Sequence, residues 1–218
     1  MKQVNPPIVD VDEDVVCICE ETIALIPFLG VSNDTLKEAC TALGKENSLF
    51  KFPNGIRDVL SYLRRKLISH IHVTYQNKNT DEISRIRDKI LFLLEACIGF
   101  HAALPNPQQL IKSLVHYSML PSNTCFAMSS VFKISDAMWA LAGDQSTDFN
   151  YYTKRLTLST TYAMSILHMS NDTSEGFAET LAFANRRIDN VIAFYKFKNG
   201  IKAFLPKVLN VFNVRFDK

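Results

Sequence analysis

Apolar residues recur at a period near 3.6 along almost all of this sequence, and few stretches alternate as a half-buried strand would. That periodicity predicts an all-α fold. With seven Gly, eight Pro and fifteen Phe among 218 residues, the chain has few places to turn and suits long helices around a greasy interior. The spacing predicts helices over about 13–29, ended by Gly30, and from a Ser32 to Asp34 cap to Leu43, with Gly44 at the turn. A short helix should reach Phe52, and Pro53-Asn54-Gly55 should open a long one through about His72. The stretch TDEISRIRDKILFLLEACIGFHAAL, capped at Thr80 or Asp81, puts Ile83, Ile86, Ile90, Leu93, Leu94 and Cys97 on one face. Shorter LIKSLVHYSML follows, then a helix from Pro121 to the Gly143 stop, another over 149–169 from a Thr147 or Asp148 cap, and one over 177–197. The Pro121 helix carries only Lys133 and Asp136 as charges, so it should be buried on most sides or line an apolar cavity.

Charge is balanced overall at +2, which excludes a histone-like binder, but it is polarised along the chain. Residues 1–30 hold six acids against Lys2, whereas from residue 196 on there are six bases against Asp217. An acidic head with a basic, apolar tail predicts that the tail meets an anionic surface. The opening MKQVNPPIVDVDEDV has neither the apolar core of a secretory signal nor the arginines of a transit peptide, and no run of ~20 apolar residues spans a bilayer. Cys17, Cys19, Cys40, Cys97 and Cys125 are odd in number and lie mostly among apolar neighbours, as small hydrophobes of a reducing compartment.

Catalytic patterns are missing. No Glu is followed three residues later by His, and there is no H-E-x-x-H, paired C-x-x-C, G-x-S-x-G or phosphate-cradling glycine loop. Cys17 and Cys19, like His70 and His72, are two residues apart and point to different sides of a helix, so neither pair can chelate. His101 and His116 abut apolar runs and read as core histidines; Asp144 and Asp148 read as a loop and a cap residue. The sequence therefore predicts no enzyme, no metal and no cofactor.

Residues 35–60, TLKEACTALGKENSLFKFPNGIRDVL, resemble the DNA-binding module of TetR-type regulators. Leu36 and Ala39 would face inward, Gly44 would make the tight turn, and Leu49-Phe50 with Phe52-Pro53 would pin the motif. The would-be recognition segment offers Lys45, Asn47, Ser48 and Lys51 but also Glu46, with the acids of the first helix nearby. A duplex binder must neutralise several phosphates at once, so a scaffold turned to another use is expected and nucleic acid is not.

Residues 136–155, DAMWALAGDQSTDFNYYTKR, closely resemble the signature of the accessory lipid-binding family of ubiquinone biosynthesis, the ninth coenzyme Q biosynthesis protein. Met138-Trp139, the 142–150 loop, Tyr151-Tyr152 and Lys154-Arg155 carry the likeness, which extends over roughly 13–218. Tyr151 departs from the family's usual Trp. The resemblance implies a TetR-like helical bundle that has exchanged DNA for lipid, forms homodimers, and presents isoprenoid quinone intermediates to the di-iron demethoxyubiquinone hydroxylase. It implies a lipid cavity along 122–142 and 149–169, for which Phe126, Met128, Phe132, Met138, Trp139, Leu156 and Met164 are the candidate lining, though each also suits ordinary core packing. It implies an exposed partner patch at Asp136, Met138, Tyr151 and Tyr152, while Arg155 suits a structural pair with Asp148 or Asp144 as well as a ligand contact.

From Ile201 the chain reads IKAFLPKVLNVFNVRFDK, which sets Ile201, Phe204, Leu205, Val208, Leu209, Phe212 and Phe216 on one helical side and Lys202, Lys207 and polar residues on the other. Such a helix lies in a headgroup interface or docks on the protein's own body. The organisation expected is a disordered 1–9, a helix-turn-helix-like module at 10–75, a lipid-binding and dimerisation domain at 76–198, and a membrane-associating helix at 199–218. A starting Met without a presequence suggests a bacterial cytoplasm at the inner membrane rather than a processed mitochondrial matrix form. The alternative function is a TetR-type regulator sensing an apolar ligand.

Overall fold

The computed structural model describes residues 12–78, 83, 85–146 and 149–189, with the side chains of 149 and 150 excepted. Among these every regular element is helical. The elements are α1 (Glu13–Leu29), α2 (Asn33–Ala42), a 3-10 turn (Glu46–Lys51), α3 (Ile56–Asn77), α4 (Ile86–Ala102), α5 (Pro107–Met119), α6 (Pro121–Leu141) and α7 (Phe149–Met169). A second 3-10 turn (Glu175–Phe177) leads into α8, described over 178–189.

Local chemistry sets these limits. The Asp12 carboxylate accepts from the Asp14 amide at 3.0 Å to start α1, and the Ser32 hydroxyl accepts from the Thr35 amide at 3.1 Å to start α2. Gly55 opens α3 at φ 58, where a Cβ would run into the Asn33 side chain that accepts from the Ile56 amide at 2.8 Å. Pro107 and Pro121 occupy first-turn positions of α5 and α6, where a missing N–H costs nothing.

One apolar cluster runs through both halves, from Ile18, Ile26, Leu36 and Val59 to Leu93, Leu94, Ile98, Leu110, Met138, Leu158 and Met169. Helices α1 and α3 pack on α5 and α6, so the head shares its core with the body. α3 reaches Asn77 rather than about His72, and α4 begins at Ile86, leaving Ile83 outside the helix. The expected caps at Thr80, Asp81, Thr147 and Asp148 lie outside the described residues, as do the 1–9 head and the whole 199–218 tail. Cys19, Cys40 and Cys97 are buried, whereas Cys17 and Cys125 are exposed. No single helix among the described residues is long and apolar enough to cross a membrane.

His101, in the last turn of α4, is buried against α7, where its Nε2 lies 2.9 Å from the Tyr162 hydroxyl. Burial alone holds its imidazole neutral, with a pKa of about 4 against an ordinary 6.5. As pH falls below 6.5 the unfolded chain takes up a proton that the folded chain refuses, so stability should drop and level off only below about 4. The loss at pH 4 should reach roughly 3 kcal/mol. His72, also held down by burial, acts in the same direction. Urea midpoints followed from pH 7 to 4 should decline, and His101→Leu should flatten most of that decline.

Candidate functional site

The signature segment folds as the end of α6, a loop, and the start of α7. Gly143 at φ 86 turns the chain out of α6 and delivers Asp144 beneath α7. Arg155, only 4% exposed, reaches back from α7 with Nε donating to Asp136 at 2.5 Å, and Nη1 donating to Asp144 at 3.0 Å and to the Tyr151 carbonyl at 3.3 Å. Lys154 donates to the same Asp144 at 2.6 Å and to the Ser146 hydroxyl at 2.7 Å. Burial pushes the Asp144 carboxyl up, but bonds from Lys154, Ser146 and Arg155 outweigh it and hold the pKa at about 2.

The aromatics close over this network. The Trp139 indole N–H donates to the Lys154 carbonyl at 3.1 Å while the Lys154 ammonium lies 5.4 Å from the Trp139 ring centre. The Arg155 guanidinium carbon sits over the Tyr151 ring, 3.4 Å from its centre, and the Tyr151 hydroxyl donates to Asp136 at 3.0 Å. That bond to Asp136, with some desolvation, raises the Tyr151 phenol above its ordinary value. Tyr152 meets Tyr151 edge-on at 5.1 Å and stands 60% exposed. The Trp-to-Tyr departure therefore falls on the inner aromatic, which covers Arg155, while Tyr152 faces outward.

The other candidate residues distribute unevenly. Met138 is fully buried, so it lies beneath the expected partner patch rather than in it. Of the seven expected lipid-lining residues, Met128, Leu156 and Met164 are exposed, Phe126, Phe132 and Trp139 half-buried, and Met138 is in the core. Among the described residues of the single chain they do not line either of the two best defined clefts. The physical reason is that α6 buries a narrow stripe, Asn123, Ile134, Ser135 and Met138, instead of most of its circumference. The better defined clefts lie elsewhere: one of about 350 Å³ is lined by Asn33, Asn54, Arg57, Tyr117 and Asn123, and one of about 250 Å³ by Cys19, Phe52, Tyr62 and Arg65.

What α6 leaves uncovered, α7 extends. Tyr152, Leu156, Thr160, Ala163, Met164 and Leu167 are exposed at helical spacing, and the run 156–167 holds no charge. An outer helix face without charge is unusual for a surface meant only for water. Sequence reasoning selected Leu156 and Met164 but missed that they share this face with Thr160, Ala163 and Leu167; a helical wheel of α7 would have found it.

The helix-turn-helix-like head is electrostatically spent. Its would-be recognition helix is a six-residue 3-10 turn. Lys45 pairs with Asp14 at 2.7 Å, and Lys51 pairs with Asp12 at 2.5 Å and Asp14 at 3.3 Å, so its cations serve the protein's own acids. Phe52 is buried as expected of a pinning aromatic, whereas Phe50 is 80% exposed and pins nothing. His116, expected in the core, is exposed on α5.

Fold and site together define an all-helical bundle whose signature lies at the α6–α7 junction. The COQ9 family model matches residues 124–195, which contain that junction. The chain is 29% identical over 185 residues, 84% of its length and 72% of the other's, to the ubiquinone biosynthesis protein coq9, mitochondrial, of Schizosaccharomyces pombe. It is 36% identical over 98 residues to the probable coq9 protein of Dictyostelium discoideum, covering 45% of this chain and 32% of that one. It is 32% identical over 117 residues to human COQ9, covering 54% of this chain and 34% of the human one. The matches thus span about a third of the length of the slime-mould and human proteins. The family model and these relatives support the COQ9 family for this chain. These relatives are eukaryotic and named as mitochondrial, which overturns the expectation of a bacterial cytoplasm and points to mitochondria. Where this sequence begins carries no weight on that point.

Arg155 anchors the site, and its removal would leave the deeply buried Asp144 short of a partner. Arg155→Gln should cost about 3 kcal/mol, the range for breaking a buried pair. Asp136→Asn, at a half-exposed carboxylate, should cost under about 1 kcal/mol. Urea unfolding at pH 7 measures both, and equal losses would remove Arg155 from the centre of the network.

Proposed function

We propose that this protein is a non-catalytic lipid-binding accessory protein of ubiquinone biosynthesis. It takes up isoprenoid quinone intermediates, or a related lipid, and presents them to the di-iron demethoxyubiquinone hydroxylase at an anionic membrane surface in mitochondria. The likeness to COQ9 proteins supports the pathway. The observation that carries the lipid reading is the charge-free outer face of α7, which is too apolar to be left in water. On this reading a homodimer and the lipid's isoprenoid chain share the outer faces of α6 and α7, with Met128, Leu156 and Met164 in contact. Phe126, Phe132 and Trp139 are drawn in from their half-buried positions.

The hydroxylase meets Tyr152 and the exposed edge of Asp136, backed by Tyr151 and the buried Met138. The 199–218 segment, with Phe204, Leu205, Phe212 and Phe216 opposite Lys202 and Lys207, reaches into the headgroups. A TetR-type regulator sensing an apolar ligand is not favoured, because Lys45 and Lys51 are already neutralised by Asp12 and Asp14.

Organic extracts of the purified protein, taken after incubation with quinone-containing vesicles and analysed by mass spectrometry, should contain a polyprenyl quinone or its phenolic precursor. A lipid-free extract would contradict the carrier. In flotation with anionic vesicles the full chain should rise with the lipid and a chain ending at Asn199 should stay behind; equal flotation would remove the tail from membrane binding.

A further inference from the structure

Lys45 and Lys51 are neutralised by acids, but Arg57, in the first turn of α3, has no carboxylate within ion-pair distance among the described residues. Its Nη2 donates to the Ser122 carbonyl at 2.9 Å and to the Asn123 side-chain oxygen at 3.0 Å, which ties the start of α3 to the start of α6. Asn123 is only 6% exposed and donates onward to the Tyr117 carbonyl at 3.1 Å, so the guanidinium is held from a buried base. The Phe126 ring centre lies 5.8 Å from the guanidinium carbon. Nε and Nη1 keep N–H groups that no described residue accepts.

This half-used fork lines the open cleft of about 350 Å³, so there is both room and approach. Asn33, Asn54, Tyr117 and Asn123 stand around it, and none of the lining residues is an acid. The Asn33 side-chain oxygen accepts from the Ile56 amide at 2.8 Å, which fixes that side chain and leaves its amide hydrogens without a described acceptor. The Tyr117 hydroxyl likewise has no described partner. The acids next in sequence are engaged: Asp34 takes Lys37 at 3.0 Å, while Asp58 accepts from the Asn54 backbone and side-chain amides at 2.8 and 3.0 Å and lines the other cleft.

An aspartate in place of Asn123 would pair the arginine outright. The asparagine positions the guanidinium and leaves its charge open, and the donors beside it are neutral. A fixed cation among neutral donors is what an oxyanion requires.

From this arrangement we propose that the cleft binds a phosphate group, with Arg57 as its charged donor and Asn33 and Tyr117 as further donors. A terminal phosphate offers three oxygens, enough for the guanidinium fork, an amide and a phenol together, whereas a carboxylate offers two. The group can be carried by a soluble molecule or by a lipid headgroup. The site lies at the opposite end of α6 from the signature junction and does not depend on the lipid-carrier reading.

The test uses the full chain with three probes at matched ionic strength: inorganic phosphate, dihexanoyl phosphatidic acid below its micellar concentration, and acetate. In wild-type protein carrying ¹⁵N-arginine, the Arg57 Nε resonance should shift saturably with both phosphates and stay nearly fixed with acetate, a readout that needs no variant to fold. Arg57→Gln should weaken inorganic phosphate at least about tenfold, the worth of a charge-assisted hydrogen bond. Lys133→Gln, which removes an exposed cation farther along α6, should change it by less than about twofold. Tighter binding of the phosphatidic acid than of inorganic phosphate assigns the group to a lipid headgroup, and equal or weaker binding assigns it to a soluble phosphate; either result sustains the site. An Arg57 resonance that ignores both phosphates, or follows acetate equally, overturns it, as does a folded Arg57→Gln protein that binds phosphate like wild type. The carrier reading stands or falls separately, on its own lipid extracts.

Discussion

A guanidinium cannot sit in a helical core without anionic partners, and Arg155 meets that requirement by tying α7 to two places on α6 and its following loop. Asp136 comes from the last turns of α6 and Asp144 from the loop beyond Gly143, so one side chain fixes the end of one helix against the start of the next. Lys154 adds a second cation to Asp144, and Trp139 and Tyr151 cover the ion pairs from above. The exposed Tyr152 takes its position from this underlying network. The signature of the family is thus first a device for holding two helices in register, with the surface it presents as the consequence.

The same logic runs through the head, with the opposite result for function. Lys45 and Lys51 would be the phosphate contacts of a DNA reader, yet Asp12 and Asp14 at the start of α1 occupy them. These ion pairs hold the start of α1 against the 3-10 turn. Among the described residues the outer face of α7, with Leu156, Met164 and Leu167, is exposed and apolar, and the buried side-chain nitrogen without a hydrogen-bond partner is the Nδ1 of His101.

Much of the architecture was legible in the residues. α1 ends at Gly30, and α6 runs from Pro121 to just before Gly143, because those signals are local. The family, too, was legible from residues 136–155. Burial was not: Met138 and Met128 lie on one helix with similar apolar neighbours, and only the packing of α6 against α7 decides that the first is enclosed and the second exposed. Phe50 and Phe52 divide for the same reason, since the 3-10 turn rotates alternate aromatics away from the core. His101 read as an ordinary core histidine, and no pattern in the sequence places Tyr162 at one of its nitrogens and nothing at the other.

The central claim, a carrier that presents its lipid without transforming it, is tested most directly by reconstitution. The demethoxyubiquinone hydroxylase would be assayed with substrate held in vesicles, alone and with this protein added. The account predicts faster hydroxylation when the protein is present and no conversion by the protein by itself. A hydroxylase rate indifferent to the protein, or product formed without the hydroxylase, would contradict it.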